Sequence, residues 1–268
     1  MKILGIDNPF EAPVYHFASC SSTMDEARSL APNAPHGTVV AADFQTAGRG
    51  RYSGRHWTAS AGRNLTFTLI LRYPAFSAIP TAVTLRSGLA VARAIERAEP
   101  TLAVKIAVKW PNDVMLDGKK CSGLIVESDG QTVLIGIGVN IAEQCLPDNA
   151  ASIASALAEL SPDRAALYVE APHRIPFILE QILFSLSQTL SADFDGLWRE
   201  ELEKRLYMRG KTMRFTAGSG VSPQAVLDGL VTGIDADGSL LLIPAGETRP
   251  RAFAAGELGG GHPALHSY

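Results

Sequence analysis

Residues 108–141 read VKWPNDVMLDGKKCSGLIVESDGQTVLIGIGVNI. Three apolar segments, VKWPNDVML, KKCSGLIVES and TVLIGIGVNI, are separated by Asp117-Gly118 and Asp129-Gly130. Asp-Gly is favoured in tight hairpin turns because both central residues can adopt positive φ there. The stretch therefore predicts an antiparallel meander rather than a wound parallel sheet.

Upstream, SSTMDEARSLA (21–31) carries a helix signal, with Thr23 and Glu26 at capping-box spacing. TVVAADF (38–44) reads as a buried strand, and NLTFTLILRY (64–73) alternates with the period of a strand. Residues 81–98 suit an apolar helix, with Leu85, Leu89, Ala92 and Ile95 on one face. Downstream, Ile175, Ile178, Leu179, Ile182, Leu183, Leu186 and Leu190 form a helical stripe, and a further helix is expected from Phe194 to Met208, stopping at Gly210. Beyond it the texture changes to short strands and turns: KTMRFTA, AVLDGLVTGI, a turn at Asp237-Gly238, and SLLLIPA. The expected organisation is an α+β domain over 1–211 and a small β-barrel over 212–268.

Hydrophobic residues at 46% and charged residues at 19% fit an ordinary globular chain rather than a disordered one. A net charge of −3 supplies no global pull toward nucleic acid or membrane. Cys20, Cys121 and Cys145 lack metal-type pairing and fit a reducing compartment. The opening MKILGIDNPF makes a poor signal peptide, and no run reaches the roughly 18 apolar residues of a membrane span. A cytoplasmic protein is expected.

Against that acidic background, the stretch from Phe44 to Arg72 holds five arginines and no acidic residue. Its centre, GRGRYSGRHW, interleaves Gly48, Gly50 and Gly54 with Arg49, Arg51 and Arg55. Glycines let a ligand approach the backbone, and guanidinium groups grip carboxylate or phosphate bidentately. A solvated surface loop has the same composition. An RGG-like RNA-binding tract ranks low, because such tracts lie in low-complexity sequence and this one is bracketed by strands. In KWPND, Asn112 and Asp113 also suit a plain turn, and Lys119 and Lys120 suit a solvated strand start. Their clustering within twelve residues is what favours a site. IGIGVN lacks the third glycine of a dinucleotide fingerprint, and no phosphate-binding P-loop, nucleophile elbow or metal-type histidine spacing occurs. No metal site is assigned. The residues describe a site for a phosphate-bearing anion, suited to ATP chemistry on a carboxylic acid without naming the acid.

Together SSTMDEA, QTAGRGR…GRHW, VKWPNDVML, GKKCSGLIVE, GIGVNI and the C-terminal GIDADGSLLL…AAGE resemble the biotin protein ligases, in order from about residue 16 to 258. The resemblance implies a mixed, largely antiparallel sheet flanked by helices, the class II aminoacyl-tRNA-synthetase-like or biotin–lipoate ligase fold, followed by an SH3-like barrel. It implies ATP-dependent formation of biotinyl-5'-AMP, with Mg²⁺ accompanying ATP, and transfer to a lysine of a biotin carboxyl-carrier protein or domain. It places Ser22, Thr23, Met24, Gln45, Gly48 and Gly50 at the biotin pocket, with Arg49 and Arg51 on the carboxylate and adenylate phosphate. Lys120 then contacts biotin's carboxylate end and Gly123 is the close-approach glycine. Arg55, Trp57, Asn112 and Asn140 surround the nucleotide, and Asp113 is a carboxylate near the reacting centre. The spacing from GRGR to Trp57 is one residue longer than the family usually shows, and Met24 stands where an asparagine often follows the Ser-Thr pair. About 15 residues precede the pattern, so sequence-specific DNA binding is not expected; a homodimer is compatible with the family. The rival readings are a lipoate or octanoate ligase of the same fold, and a non-catalytic anion- or RNA-binding module.

Overall fold

The computed structural model describes residues 1–51, 57, 60–171, 174–218 and 225–259. The meander is present as expected: β5 (Ile106–Lys109), β6 (Asp113–Leu116), β7 (Lys119–Asp129) and β8 (Thr132–Asn140) pair antiparallel in sequence order, if β1 to β4 are counted as Lys2–Leu4, Val14–Phe17, Thr38–Ala42 and Asn64–Arg72. Asp117 and Gly118 both take positive φ, 52° and 76°, as their turn requires. The eight strands form one sheet in the order β1-β2-β3-β4-β8-β7-β6-β5, antiparallel except between β2 and β3. The expected mixed, largely antiparallel sheet is therefore observed.

Strand β4 is central and buried on both faces. Leu65, Phe67, Leu69 and Leu71 enter the larger core, which lies against helices α2 (Val83–Ala98) and α5 (Arg174–Thr189) once α1 is taken as Thr23–Leu30, α3 as Ile153–Leu157 and α4 as Pro162–Glu170. On the opposite face Ile70 joins Val40, Leu134, Met24 and Ala27 beneath α1. With each buried aliphatic contributing about 1.5–3 kcal/mol, the two-sided apolar pattern holds β4 in register. Helix α1 has only eight residues, too few to cover the whole sheet face, and beyond its N-terminus that face is open.

Two local expectations are corrected. The cap of α1 is Ser22, whose Oγ accepts the Met24 N–H, and Thr23 is the first helical residue; the Thr23 hydroxyl is engaged elsewhere. The helix expected over 194–208 is only α6 (Trp198–Glu203). Its continuation is captured by the free edge of β5, where Val108 N–H donates to Arg205 O and Tyr207 N–H to Val108 O.

The C-terminal segment forms a five-stranded antiparallel sheet from β9 (Thr212–Ala217), β10 (Val226–Ile234), β11 (Leu240–Pro244), β12 (Arg251–Phe253) and β13 (Gly256–Leu258), in the order β12-β11-β10-β9-β13. Among the described residues its two edges do not pair, so it stands as an open sheet. Phe215, Val231, Leu240, Leu242 and Leu258 belong to the same core as β4 and α2. Trp110 bridges the join, its Nε1 donating to Gly238 O at 3.0 Å and its ring 6.0 Å from that of Phe215. Among the described residues no helix is long and apolar enough to cross a membrane.

Candidate functional site

The open part of the sheet face is floored by glycines. Gly123 on β7 pairs with Gly138 on β8, and Ile125 with Gly136. A Cβ on Gly138 would stand 2.5 to 2.9 Å from the Trp57 ring, and one on Gly136 would stand 2.7 Å from the Met24 sulfur. Bare backbone at those two positions lets the indole and the thioether lie against the strands. The indole Nε1 of Trp57 is buried and has no hydrogen-bond partner among the described residues, so it can serve a ligand acceptor.

One end of the cleft is a neutral polar network. Gln45 Oε1 accepts both the Thr23 N–H (2.7 Å) and the Thr23 hydroxyl (3.2 Å), and Thr23 Oγ1 accepts from the Thr68 hydroxyl at 2.9 Å. With both lone pairs of its oxygen committed to the helix start, Gln45 has its amide N–H groups to offer a ligand.

The other end is cationic. A β-bulge between β6 and β7 makes Asp113 face Gly123 while Met115 faces Lys120. Asp113 and Met115, two apart, share a face; the bulge thus turns Lys120 and Gly123, three apart, to the same side. Lys120 Nζ then lies 2.7 Å from Asp113 Oδ1, and a Cβ on Gly123 would meet that ammonium at 3.0 Å. Arg49 reaches Asp25 Oδ1 at 2.7 Å, an oxygen it shares with Arg28. Arg51 donates to Gly256 O of the C-terminal sheet at 2.9 Å. The Lys120 and Arg49 pairs are partly exposed, where ion pairs are worth roughly 0–1 kcal/mol, so a carboxylate or phosphate can compete for them.

Of the residues expected from sequence, Ser22, Thr23, Met24, Gln45, Arg49, Gly50, Arg51, Trp57, Asn112, Lys120 and Gly123 line this cleft. Asp113 sits under Lys120. Asn112 also fastens β7, its Nδ2 donating to Leu124 O at 2.7 Å. Gly48 is buried behind Trp57, whose carbonyl a Cβ there would meet at 2.5 Å. Asn140 is not brought to the cleft; it is buried, with its amide on Ala151 O. Arg55 and His56 lie outside the described residues. Sequence reasoning missed Thr66, Thr68 and Asp25, and treated Gly136 and Gly138 as uninformative. Glycines two apart within a β-rich run were the available signal, since strands lose stability at glycine unless something approaches closely.

Residues 16–140 match the family described as Biotin/lipoate A/B protein ligase. That stretch is similar to the biotin/lipoate protein ligases. Over 152 residues it is 39% identical to the bifunctional ligase/repressor BirA of Bacillus spizizenii, covering 54% of this chain and 46% of that protein. Over 130 residues it is 41% identical to the biotin–[acetyl-CoA-carboxylase] ligase of Paracoccus denitrificans, covering 47% and 53%. The chain thus spans about half the length of these relatives. The fold is similar to a biotin protein ligase mutant from Aquifex aeolicus in complex with biotin (TM-score 0.70, 22% identity, covering 92% of this chain and 98% of that one). It is also similar to the Leishmania major biotin protein ligase in complex with biotin (TM-score 0.60, 26% identity, covering 93% and 100%). The matched segment contains the whole cleft, from Ser22 to Gly138, so the family match and the candidate site coincide.

Proposed function

We propose that this chain activates biotin with ATP and transfers it to a lysine of a biotin carboxyl-carrier protein or domain. The observation that carries the reading is one cleft with three zones in it. Gln45 and Thr23 make a neutral hydrogen-bonding end, the glycine-floored strands with Met24, Leu124 and Ile137 an apolar middle, and Lys120, Arg49 and Arg51 a cationic end. Biotin has that layout: a neutral ureido head, an apolar ring and chain, and a carboxylate.

In the first step a biotin carboxylate oxygen attacks the α-phosphorus of ATP, and the bond to pyrophosphate breaks. Two anions must meet, and Lys120 with Arg49 and Arg51 neutralises the charge; one such group aimed at developing charge is worth about 3 kcal/mol. In the second step a neutral lysine amine attacks the acyl carbon, the bond to AMP breaks, and the amine loses its proton. Mg²⁺ accompanies ATP in this reading. Among the described residues no group of three or more His, Cys, Asp or Glu side chains is placed to hold a metal ion.

The C-terminal sheet from residue 212 fits an SH3-like barrel whose buried residues continue the core of the larger sheet. Its opposite edges, β12 and β13, are joined by Ala254 and Ala255 alone, and so short a link supports that reading. Three free cysteines suit the cytoplasm.

Biotin-dependent exchange of labelled pyrophosphate into ATP, with lipoate in parallel, is the test. Exchange with biotin alone is expected; exchange with lipoate alone would move the chain to the lipoate ligases, and exchange with neither would leave a binding module.

A further inference from the structure

Glu143 lies just past β8, outside the catalytic groups named above, and is buried. Its carboxylate has no cationic partner among the described residues and is held by five donors. Oε2 accepts the Ser60 N–H and the Asn64 Nδ2 amide, both at 2.8 Å. Oε1 accepts the Ser60 hydroxyl at 3.1 Å and the N–H groups of Gln144 and Cys145 at 3.2 and 3.4 Å. Ser60 is where the arginine-bearing loop returns to β4. Glu143 also opens the segment that runs to Ser152, whose hydroxyl donates to Glu143 O at 3.1 Å. The far end of that segment clasps the backbone of Lys120: Lys120 N–H donates to Asn149 O and Ala151 N–H to Lys120 O, each at 2.9 Å. One carboxylate therefore ties the root of the arginine loop to the strap that holds the cleft lysine.

We propose that Glu143 is a positioning residue that sets the arginine loop and Lys120 relative to each other, so that both converge on the substrate anion. The role in turnover rests on the ligase reading; the tether does not. A carboxylate suits this place because it presents acceptors only. The near-isosteric Glu143→Gln keeps the shape, but its NH₂ group meets a backbone N–H in either orientation, that of Ser60 or those of Gln144 and Cys145.

Hydrogen exchange by mass spectrometry on the full chain tests the tether. In Glu143→Gln, amides of both 60–63 and 144–151 are expected to exchange about tenfold faster, with α2 and α5 unchanged. Ser60→Ala, which removes only the hydroxyl, is expected to give about a twofold effect in the same two segments. Acceleration confined to one segment, or none, overturns the proposal. In pyrophosphate exchange, Glu143→Gln is expected to raise KM for biotin and for ATP together by about tenfold, with kcat within about threefold. A fall in kcat with both KM values unchanged overturns the positioning role. If the wild type shows no biotin-dependent exchange, the ligase reading fails, while the hydrogen-exchange result still decides the tether.

Discussion

Lys120 Nζ stands 2.7 Å from Asp113 Oδ1 across the bulge that offsets β6 from β7. The bulge puts both groups on the cleft side, and the missing side chain of Gly123 leaves room for the ammonium. Lys120→Ala is expected to slow biotin-dependent pyrophosphate exchange about 100-fold, the worth of one charge-stabilising donor. Asp113→Asn should act more mildly, about tenfold and mainly through KM, because it frees the lysine without removing it. Neither change should cost more than about 1 kcal/mol of stability, since the lysine side chain is 40% exposed. A Lys120→Ala enzyme as fast as wild type would remove Lys120 from the mechanism.

Gly138 and Gly136 separate the two ends of the cleft by what they lie against. A methyl group on Gly138 collides with the rigid indole of Trp57, whereas one on Gly136 meets the flexible end of Met24. Gly138→Ala is therefore expected to displace Trp57 and raise KM for ATP about tenfold, at a stability cost of about 1–3 kcal/mol. Gly136→Ala should cost less than about 1 kcal/mol, because a methionine side chain can re-seat, and should affect biotin rather than ATP. The opposite ranking in thermal melts and KM values would show that the indole is not held against β8.

The thiols offer a check on packing that is independent of catalysis. Burial pushes the Cys121 thiol up to about 12, and burial together with Glu26 and Asp25 pushes Cys20 up to about 11. Cys145 is exposed. Since the thiolate is the reactive form, iodoacetamide at pH 7.5 is expected to label Cys145 alone in the native protein, and all three cysteines after unfolding. Rapid native labelling of Cys121 would contradict its place in the core.

The sheet was legible wherever turn chemistry and apolar period agreed. Asp117-Gly118 and Asp129-Gly130 separated three strands of the meander, and the alternation of β4 was read correctly as a strand. Burial of its second face was not foreseen, because Thr66, Thr68 and Ile70 read as a half-polar face until α1 and the cleft are in place. Strands β1 and β2 are short and lie in proline-punctuated sequence without a strand period. The helix expected over 194–208 failed for a tertiary reason, capture of residues 205–207 by the β5 edge, which no local propensity encodes. At the site, charged residues and glycines next to arginine stood out, while Thr68, Asp25 and Glu143 did not. Their roles come from partners 45, 24 and 83 residues away in sequence.

Glu143 also makes a prediction about acid stability. Burial by itself would raise its pKa, but the donors from Ser60, Asn64 and Cys145 outweigh that and hold the carboxyl below its ordinary 4.5. A carboxyl with a depressed folded-state pKa stabilises the fold fully above its unfolded value, and the contribution disappears as pH falls through the folded value. The melting-temperature difference between wild type and Glu143→Gln should thus be flat from neutrality down to about pH 5, then shrink as acid protonates the wild-type group. Carboxylates common to both proteins cancel in that difference, so its pH profile reports Glu143 alone. A difference that stays constant down to pH 3, or that grows on acidification, would mean the five hydrogen bonds do not favour the charged form, and the case for a carboxylate at this position would fall with them.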